Sequence, residues 1–100
     1  MAAGEKMILY SFCNFYLSSI QQGIQTAHVV ANMACQQNGK SIFEDWAKNH
    51  KTIVVLNGGN CDGLYKIKDF FDNNAYEYCW DYFCEDEQSL NGAITCVGII

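Results

Sequence analysis

Arginine and proline are both missing from this chain of 100 residues, and only 17% of the residues are charged. Without arginine, the chain has no planar guanidinium group to grip a phosphate through two hydrogen bonds. The net charge of −5 argues against a broad surface that neutralises nucleic-acid phosphates. Half of the residues are apolar and none is proline, so the composition also excludes a disordered or low-complexity linker.

Export and membrane signals are missing as well. No stretch approaches the roughly 18 apolar residues of a membrane span, and the apolar run at 7–12 is too short for a secretory core. We therefore expect a cytoplasmic protein with no membrane partner, whose six cysteines stay reduced. The closest cysteine pair, Cys79 and Cys84, does not have the spacing of a zinc site, so we predict no metal and no cofactor. Cys35 and Cys96 are interpreted as small core residues.

The length predicts one domain over residues 1–100. Apolar periodicity and turn residues predict strands at 7–12, 52–56, 76–82 and 93–100, with helices at 20–37, 42–49 and from 60 or 62 to 71. The order β-α-α-β-α-β-β is typical of an α/β fold with a single four-stranded mixed sheet flanked by helices.

Two strands carry further expectations. The strand at 52–56 is apolar throughout, which predicts a central strand covered on both faces. The last strand ends in Gly98-Ile-Ile100, which predicts an apolar edge protected by dimerisation or by pairing inside the sheet. The alternating aromatic residues at 76–82 indicate sheet packing more than stacking on a nucleobase.

The first helix contains no charged residue between positions 20 and 37. Its helical spacing predicts a narrow polar row beside an apolar face that packs on the sheet. The polar row consists of Gln21, Gln25, His28 and Asn32, and the apolar face of Ile20, Ile24, Ala27, Ala31 and Cys35. Amides and one imidazole suit a partly dry site, where a buried ion would be costly. A polar helix surface without function is the alternative interpretation.

The stretch from Ser18 to His28, Ser-Ser-Ile-Gln-Gln-Gly-Ile-Gln-Thr-Ala-His, resembles the start of the first helix in the archaeal and eukaryotic type of peptidyl-tRNA hydrolase. It is most similar to the short bacterial and phage members of that superfamily. Three later segments follow in the family's order: 43–46, 51–56, and 83–86 with 92–98. The resemblance covers most of the chain from Met7 onward.

The resemblance implies a four-stranded mixed sheet and hydrolysis of the ester that joins a peptide to the terminal ribose of tRNA. It implies catalytic roles for His28, Asp86 and Thr95. It also implies substrate-binding roles for the following residues: Gln21, Gln22, Gln25 and Glu85. The family has a lysine where this chain has Gln21, and either acidic residue of the last loop can supply the family's carboxylate.

Two functions are compatible with these residues. In the first, His28 accepts a proton from water, Gln21 and Gln25 stabilise the developing charge, and Thr95 positions an ester on the tRNA 3′ end or on a small nucleotide. In the second, the same scaffold binds a small nucleotide or a protein partner without chemistry, as an inhibitor or sequestering protein of a phage would. A lysine patch of Lys48, Lys51, Lys66 and Lys68 would favour the first, and the family also permits a homodimer.

Overall fold

A computed structural model describes residues 6–74, 78–85 and 92–100. It contains four strands and three helices in the predicted order β-α-α-β-α-β-β, and the predicted α/β class is confirmed. The elements are β1 (Ile8–Cys13), α1 (Ser19–Cys35), α2 (Lys40–Asn49), β2 (Thr52–Asn57), α3 (Cys61–Asp72), β3 (Trp80–Cys84) and β4 (Ile94–Ile99). The start of the strand predicted at 76–82 lies outside the described residues.

The four strands form one mixed sheet in the order β2-β1-β4-β3. β1 and β2 are parallel, with Ile8 opposite Thr52, whereas β4 runs antiparallel to both β1 and β3. The last strand is therefore central, and its apolar edge is covered by pairing inside the sheet, which was one of the two predicted alternatives. The prediction that 52–56 forms a central strand was wrong, because β2 lies at the edge of the sheet.

The helices cover the two faces of the sheet unequally. α1 packs against β1, β3 and β4 on one face, and α3 packs against β4 and β3 on the other. The apolar core under α1 includes Leu9, Val29 and Met33, while Leu64 and Trp80 belong to the core under α3. Neither helix packs extensively on β2, which leaves that strand half-exposed on both faces.

The face of α1 that meets the sheet differs from the predicted one. The buried positions are Gln25, Thr26, Val29 and Met33, whereas Ile20 and Ile24 are 78% and 49% exposed. Ala27, Ala31 and Cys35 are also exposed. The physical reason is that the sheet under α1 offers polar partners to Gln25 and Thr26, and that Gly98 lets Val29 approach: a Cβ at Gly98 would lie 2.6 Å from Val29 Cγ1.

Residues directly before each helix cap its N-terminus or set its starting conformation. A capping box begins α1, because Ser18 Oγ accepts from Gln21 N and Gln21 Oε1 accepts from Ser18 N. Gly39 adopts the left-handed conformation, with φ of 69°, directly before α2. Asn60 caps α3 by accepting a hydrogen bond from Gly63 N.

In the described part of the chain, no helix combines the length and the apolar character that crossing a membrane requires.

Candidate active site

Three polar side chains meet at the end of the sheet where β3 finishes. Gln25 from α1 donates from Nε2 to Glu85 Oε2 at 2.8 Å. On its other side, Gln25 Oε1 lies 3.2 Å from the hydroxyl of Thr95 in β4. Gln25 is 5% exposed and Thr95 is fully buried, so these contacts are strong compared with their equivalents in water. The structure thus brings together three of the predicted site residues.

A β-bulge aims Thr95 at this group. Phe83 pairs with Cys96 and Cys84 pairs with Ile94, so Thr95 has no partner across the ladder. As a result Thr95 and Cys96 both contact residues of α1, and the Thr95 hydroxyl also lies 3.1 Å from the Phe83 carbonyl oxygen. A hydroxyl has one proton, so it donates to the Gln25 oxygen or to the Phe83 carbonyl, and can exchange between them.

His28 stands at the solvent side of the same region, one helical turn after Gln25. Its ring is exposed and lies against Phe83, with ring centroids 4.4 Å apart. Among the described residues none donates to or accepts from its imidazole nitrogens. His28 is therefore exposed, and within residues 6–74, 78–85 and 92–100 its ring is positioned by the aromatic contact with Phe83 and by no carboxylate.

The remaining predicted residues of the first helix have other contacts. Gln21 completes the capping box, and Gln22 Nε2 donates to Leu17 O at 3.1 Å. Asn32 Nδ2 donates to Tyr82 O at 3.1 Å, outside the group of Gln25. Asp86 lies outside the described residues.

Tyr16 is a neighbour of this site that the sequence reasoning missed. It lies in the loop between β1 and α1 and is 46% exposed. Its pKa is raised, first by partial burial and then by the charges of Cys61 and Glu85. The signal in the sequence was the pair of aromatic residues Phe15 and Tyr16 directly before the helix start, whose rings meet edge to face.

A buried layer of hydroxyl and thiol groups lies beneath α1 next to the site. Ser11 Oγ is 2.7 Å from Thr26 Oγ1 and 2.9 Å from Cys96 Sγ, and Cys13 Sγ is 3.0 Å from Cys96 Sγ. The hydrogen bond to Cys13 and the burial both raise the pKa of the Cys96 thiol. Ser11 interrupts an apolar strand, which was the available sequence signal for this layer.

The other cysteines are free thiols with different surroundings. Burial, helped by Asp81, raises the pKa of Cys79 to about 11, so this thiol is inert at neutral pH. Cys96 is buried as predicted, but the prediction of Cys35 as a core residue was wrong, because Cys35 is exposed. Across residues 6–74, 78–85 and 92–100, no three His, Cys, Asp or Glu side chains are grouped to hold a metal ion.

Lys68, one of the four lysines of the predicted patch, is already engaged. Its Nζ lies 2.6 Å from Asp72 Oδ2 and 4.8 Å from the centre of the Tyr82 ring. The carboxylate of Asp72 raises the pKa of Lys68, with a smaller contribution from other neighbours. The positive charge of Lys68 is therefore partly offset before any phosphate arrives.

Comparison of the chain with known proteins gives no match, either to a protein-family model or to a curated protein. The family resemblance therefore rests on the quoted residues alone.

Proposed function

We propose that this protein is an ester hydrolase of the peptidyl-tRNA hydrolase type, acting on the tRNA 3′ end or on a smaller nucleotide ester. The observation that carries the proposal is the hydrogen-bonded group Gln25–Glu85–Thr95. It joins one helix and two strand ends, one helical turn from the exposed side chain of His28. The resemblance of Ser18–His28 to the first helix of that superfamily supports the same reaction.

Water is the nucleophile in this proposal. Glu85 holds the Gln25 amide through one of its two N–H groups, and the second N–H can then donate to the oxygen that gains negative charge. Thr95 fixes the other end of the same amide. His28 accepts the proton of the attacking water and returns it to the ribose oxygen that leaves.

A binding module without chemistry is the second candidate. It is favoured by the hydrogen bonds of the Gln25 amide, which already has a partner at its oxygen and at its nitrogen. A side chain with both groups bonded inside the protein is typical of a structural role. The net charge of −5 also favours a small ligand or a protein partner over a whole tRNA.

A turnover assay with a peptidyl ester of a CCA trinucleotide separates these functions. We expect His28→Asn to lower kcat/KM by about a hundredfold or more, the usual loss for a general base. Thr95→Val keeps the shape of the side chain and should cost about tenfold, because it removes one hydrogen bond. His50→Asn is the matched control, since His50 lies elsewhere and accepts from Met7 N through Nδ1, which an asparagine oxygen can imitate.

Equal rates for His28→Asn and the parent would remove His28 from the mechanism. Tight binding of the trinucleotide ester with no turnover by the parent protein would favour the binding module.

A further inference from the structure

Two buried thiols face each other across β1 and β4. Cys13 and Cys96 are register partners in these antiparallel strands, and their Sγ atoms lie 3.0 Å apart. The neighbouring bond from Asn14 N to Thr95 O makes them a non-hydrogen-bonded pair of the ladder. In such a pair the Cα atoms stand about 4.5 Å apart, within the range of about 4.4–6.8 Å that a disulfide bridges. This position in the ladder therefore suits a disulfide, and the two sulfur atoms need to approach by only about 1 Å.

Two hydroxyl groups beside the thiols help to make them unequal. Ser11 Oγ lies 3.6 Å from Cys13 Sγ and 2.9 Å from Cys96 Sγ. Thr26 Oγ1 lies 3.6 Å from Cys13 Sγ and 3.7 Å from Cys96 Sγ. The hydrogen bond from Cys96, helped by the two hydroxyls, lowers the pKa of Cys13 against the opposing effect of burial. The thiolate is the nucleophilic form of cysteine, so Cys13 is the attacking thiol of the pair.

An apolar groove of about 490 Å³ lies one side chain away from the two sulfur atoms, between α1 and β2. It is lined by the following residues: Gly23, Thr26, Ala27, Val30, Ile53 and Val55. Thr26 lines the groove and also contacts Cys13 through Oγ1. A Cβ added at Gly23, three residues earlier on α1, would meet nothing within 4 Å, so there is open space beside Thr26. Because Cys13 and Cys96 are 1% and 0% exposed, a reagent for this pair has to be small and uncharged.

We propose that Cys13 and Cys96 are a redox-active dithiol, which hydrogen peroxide oxidises to a disulfide between β1 and β4. The Cys13 thiolate attacks one oxygen of the peroxide, the O–O bond breaks, and the second oxygen takes up a proton and leaves as water. Cys13 is then a sulfenic acid. The Cys96 sulfur attacks the Cys13 sulfur, the S–O bond breaks, and the hydroxyl leaves with the Cys96 proton as a second water. Two electrons pass from the thiols to the peroxide, and an external thiol reverses the change.

The other buried cysteine shows that burial alone does not give this reactivity. Burial, with a contribution from Asp81, raises the pKa of Cys79 to about 11, so its thiol stays protonated and unreactive at neutral pH. Cys79 therefore serves as an internal reference in the same protein. The dithiol goes beyond the proposed ester hydrolysis and does not depend on it.

Peptide mapping of the full chain after exposure to hydrogen peroxide at neutral pH tests the proposal. The reduced protein is treated with peroxide, and then alkylated in denaturant and digested. We expect a linked pair of peptides that carry Cys13 and Cys96 and have lost two hydrogen atoms, and dithiothreitol should restore both thiols. Cys79 should remain free for alkylation. Cys35→Ser is the matched control, because it removes an exposed thiol outside the pair and should form the same link.

Cys96→Ser tests the order of the two steps. It lacks the second thiol, so it should form no link, and dimedone added with the denaturant should trap Cys13 as the sulfenic acid. Cys13→Ser should give neither product. The link itself is measured in the parent, so the main test does not depend on how the variants fold. Free Cys13 and Cys96 in the peroxide-treated parent, a link from Cys13 to another cysteine, or sulfenic acid at Cys96 in Cys13→Ser would each overturn the proposal.

Discussion

The Gln25 amide is held at both ends, by the Glu85 carboxylate at 2.8 Å and by the Thr95 hydroxyl at 3.2 Å. A glutamine is suited to this position because it presents a donor to the carboxylate and an acceptor to the hydroxyl at once. It carries no charge, so burying it needs no counter-ion. The neutral amide is therefore a requirement of the site's electrostatics as well as of its proposed chemistry.

Gln25→Glu keeps the shape of the side chain but sets two carboxylates side by side. We expect it to lower the free energy of unfolding by about 2 kcal/mol at pH 7, since one hydrogen bond is lost and a like-charge contact replaces it. The folded variant holds a proton more tightly than its unfolded chain. The difference in the free energy of unfolding between the variant and the parent should therefore be smallest near about pH 4 and grow as the pH rises to 7. Urea unfolding at the two pH values measures both effects.

Gln21→Glu is the control for that change. Gln21 is exposed and is the third residue of α1, which completes the capping box; glutamate is equally suited there and meets the positive end of the helix dipole. Its stability should match or slightly exceed that of the parent. A Gln25→Glu variant as stable as Gln21→Glu would show that the Glu85 contact contributes nothing.

Gln25, Glu85 and Thr95 could be predicted as site residues from the sequence, but their contact with one another could not. Helical spacing and the family resemblance indicate Gln25, whereas the direction of Thr95 depends on a bulge opposite Phe83 and Cys84. A bulge changes which face a residue occupies without any local sequence pattern that requires it. Tyr16 was missed for a similar reason, since its relation to Glu85 arises only when the ends of β1 and β3 are brought together.

The packing of helices on the sheet explains two predictions from sequence periodicity that were wrong. Isoleucines and alanines on α1 suggested the buried face, yet the sheet below offers Ser11, Thr95 and Cys96 as polar partners, and the helix turns Gln25 and Thr26 toward them. Similarly, an unbroken apolar strand is typical of a central position, but β2 lies at an edge. On α1, the apolar residues stay exposed because the polar contacts of Gln25 and Thr26 outweigh the local preference.

The residue before α2 must be a glycine for two reasons, its backbone conformation and its close approach to Cys79. Gly39 has φ of 69°, and an added Cβ would lie 2.7 Å from Cys79 Cβ and 2.9 Å from Cys79 Cα. Gly39→Ala should therefore destabilise the protein by about 2–3 kcal/mol, from backbone strain together with a clash against a buried strand end. Thermal and urea unfolding measure the loss.

Gly59→Ala separates the two requirements. Gly59 shares the left-handed conformation, with φ of 83°, but an added Cβ would meet nothing within 4 Å. This variant should lose only the conformational part, about 1 kcal/mol. Equal losses for the two variants would mean that the contact with Cys79 imposes no constraint on the position of α2.

At the scale of the whole molecule, charge limits what the protein can hold. Six lysines face eleven acidic residues, and Lys68 is paired with Asp72. This excess of acidic residues disfavours binding along the phosphate backbone of a nucleic acid. For the proposed esterase, we therefore expect recognition of the 3′ end of a tRNA more than of its body.

The consequence is measurable with substrates of different length. If the proposed esterase acts on tRNA, peptidyl-tRNA and a peptidyl ester of CCA should have kcat/KM values within about tenfold of each other, because few phosphate contacts distinguish them. The apparent affinity for single-stranded ends should fall with salt at a log–log slope no steeper than about −2, the value for roughly three neutralised phosphates. A steep slope, or a large preference for whole tRNA, would require a continuous basic surface. In that event the lysines that remain unpaired would have to converge beside Gln25, and their replacement by glutamine should flatten the slope by about 0.7 per phosphate lost.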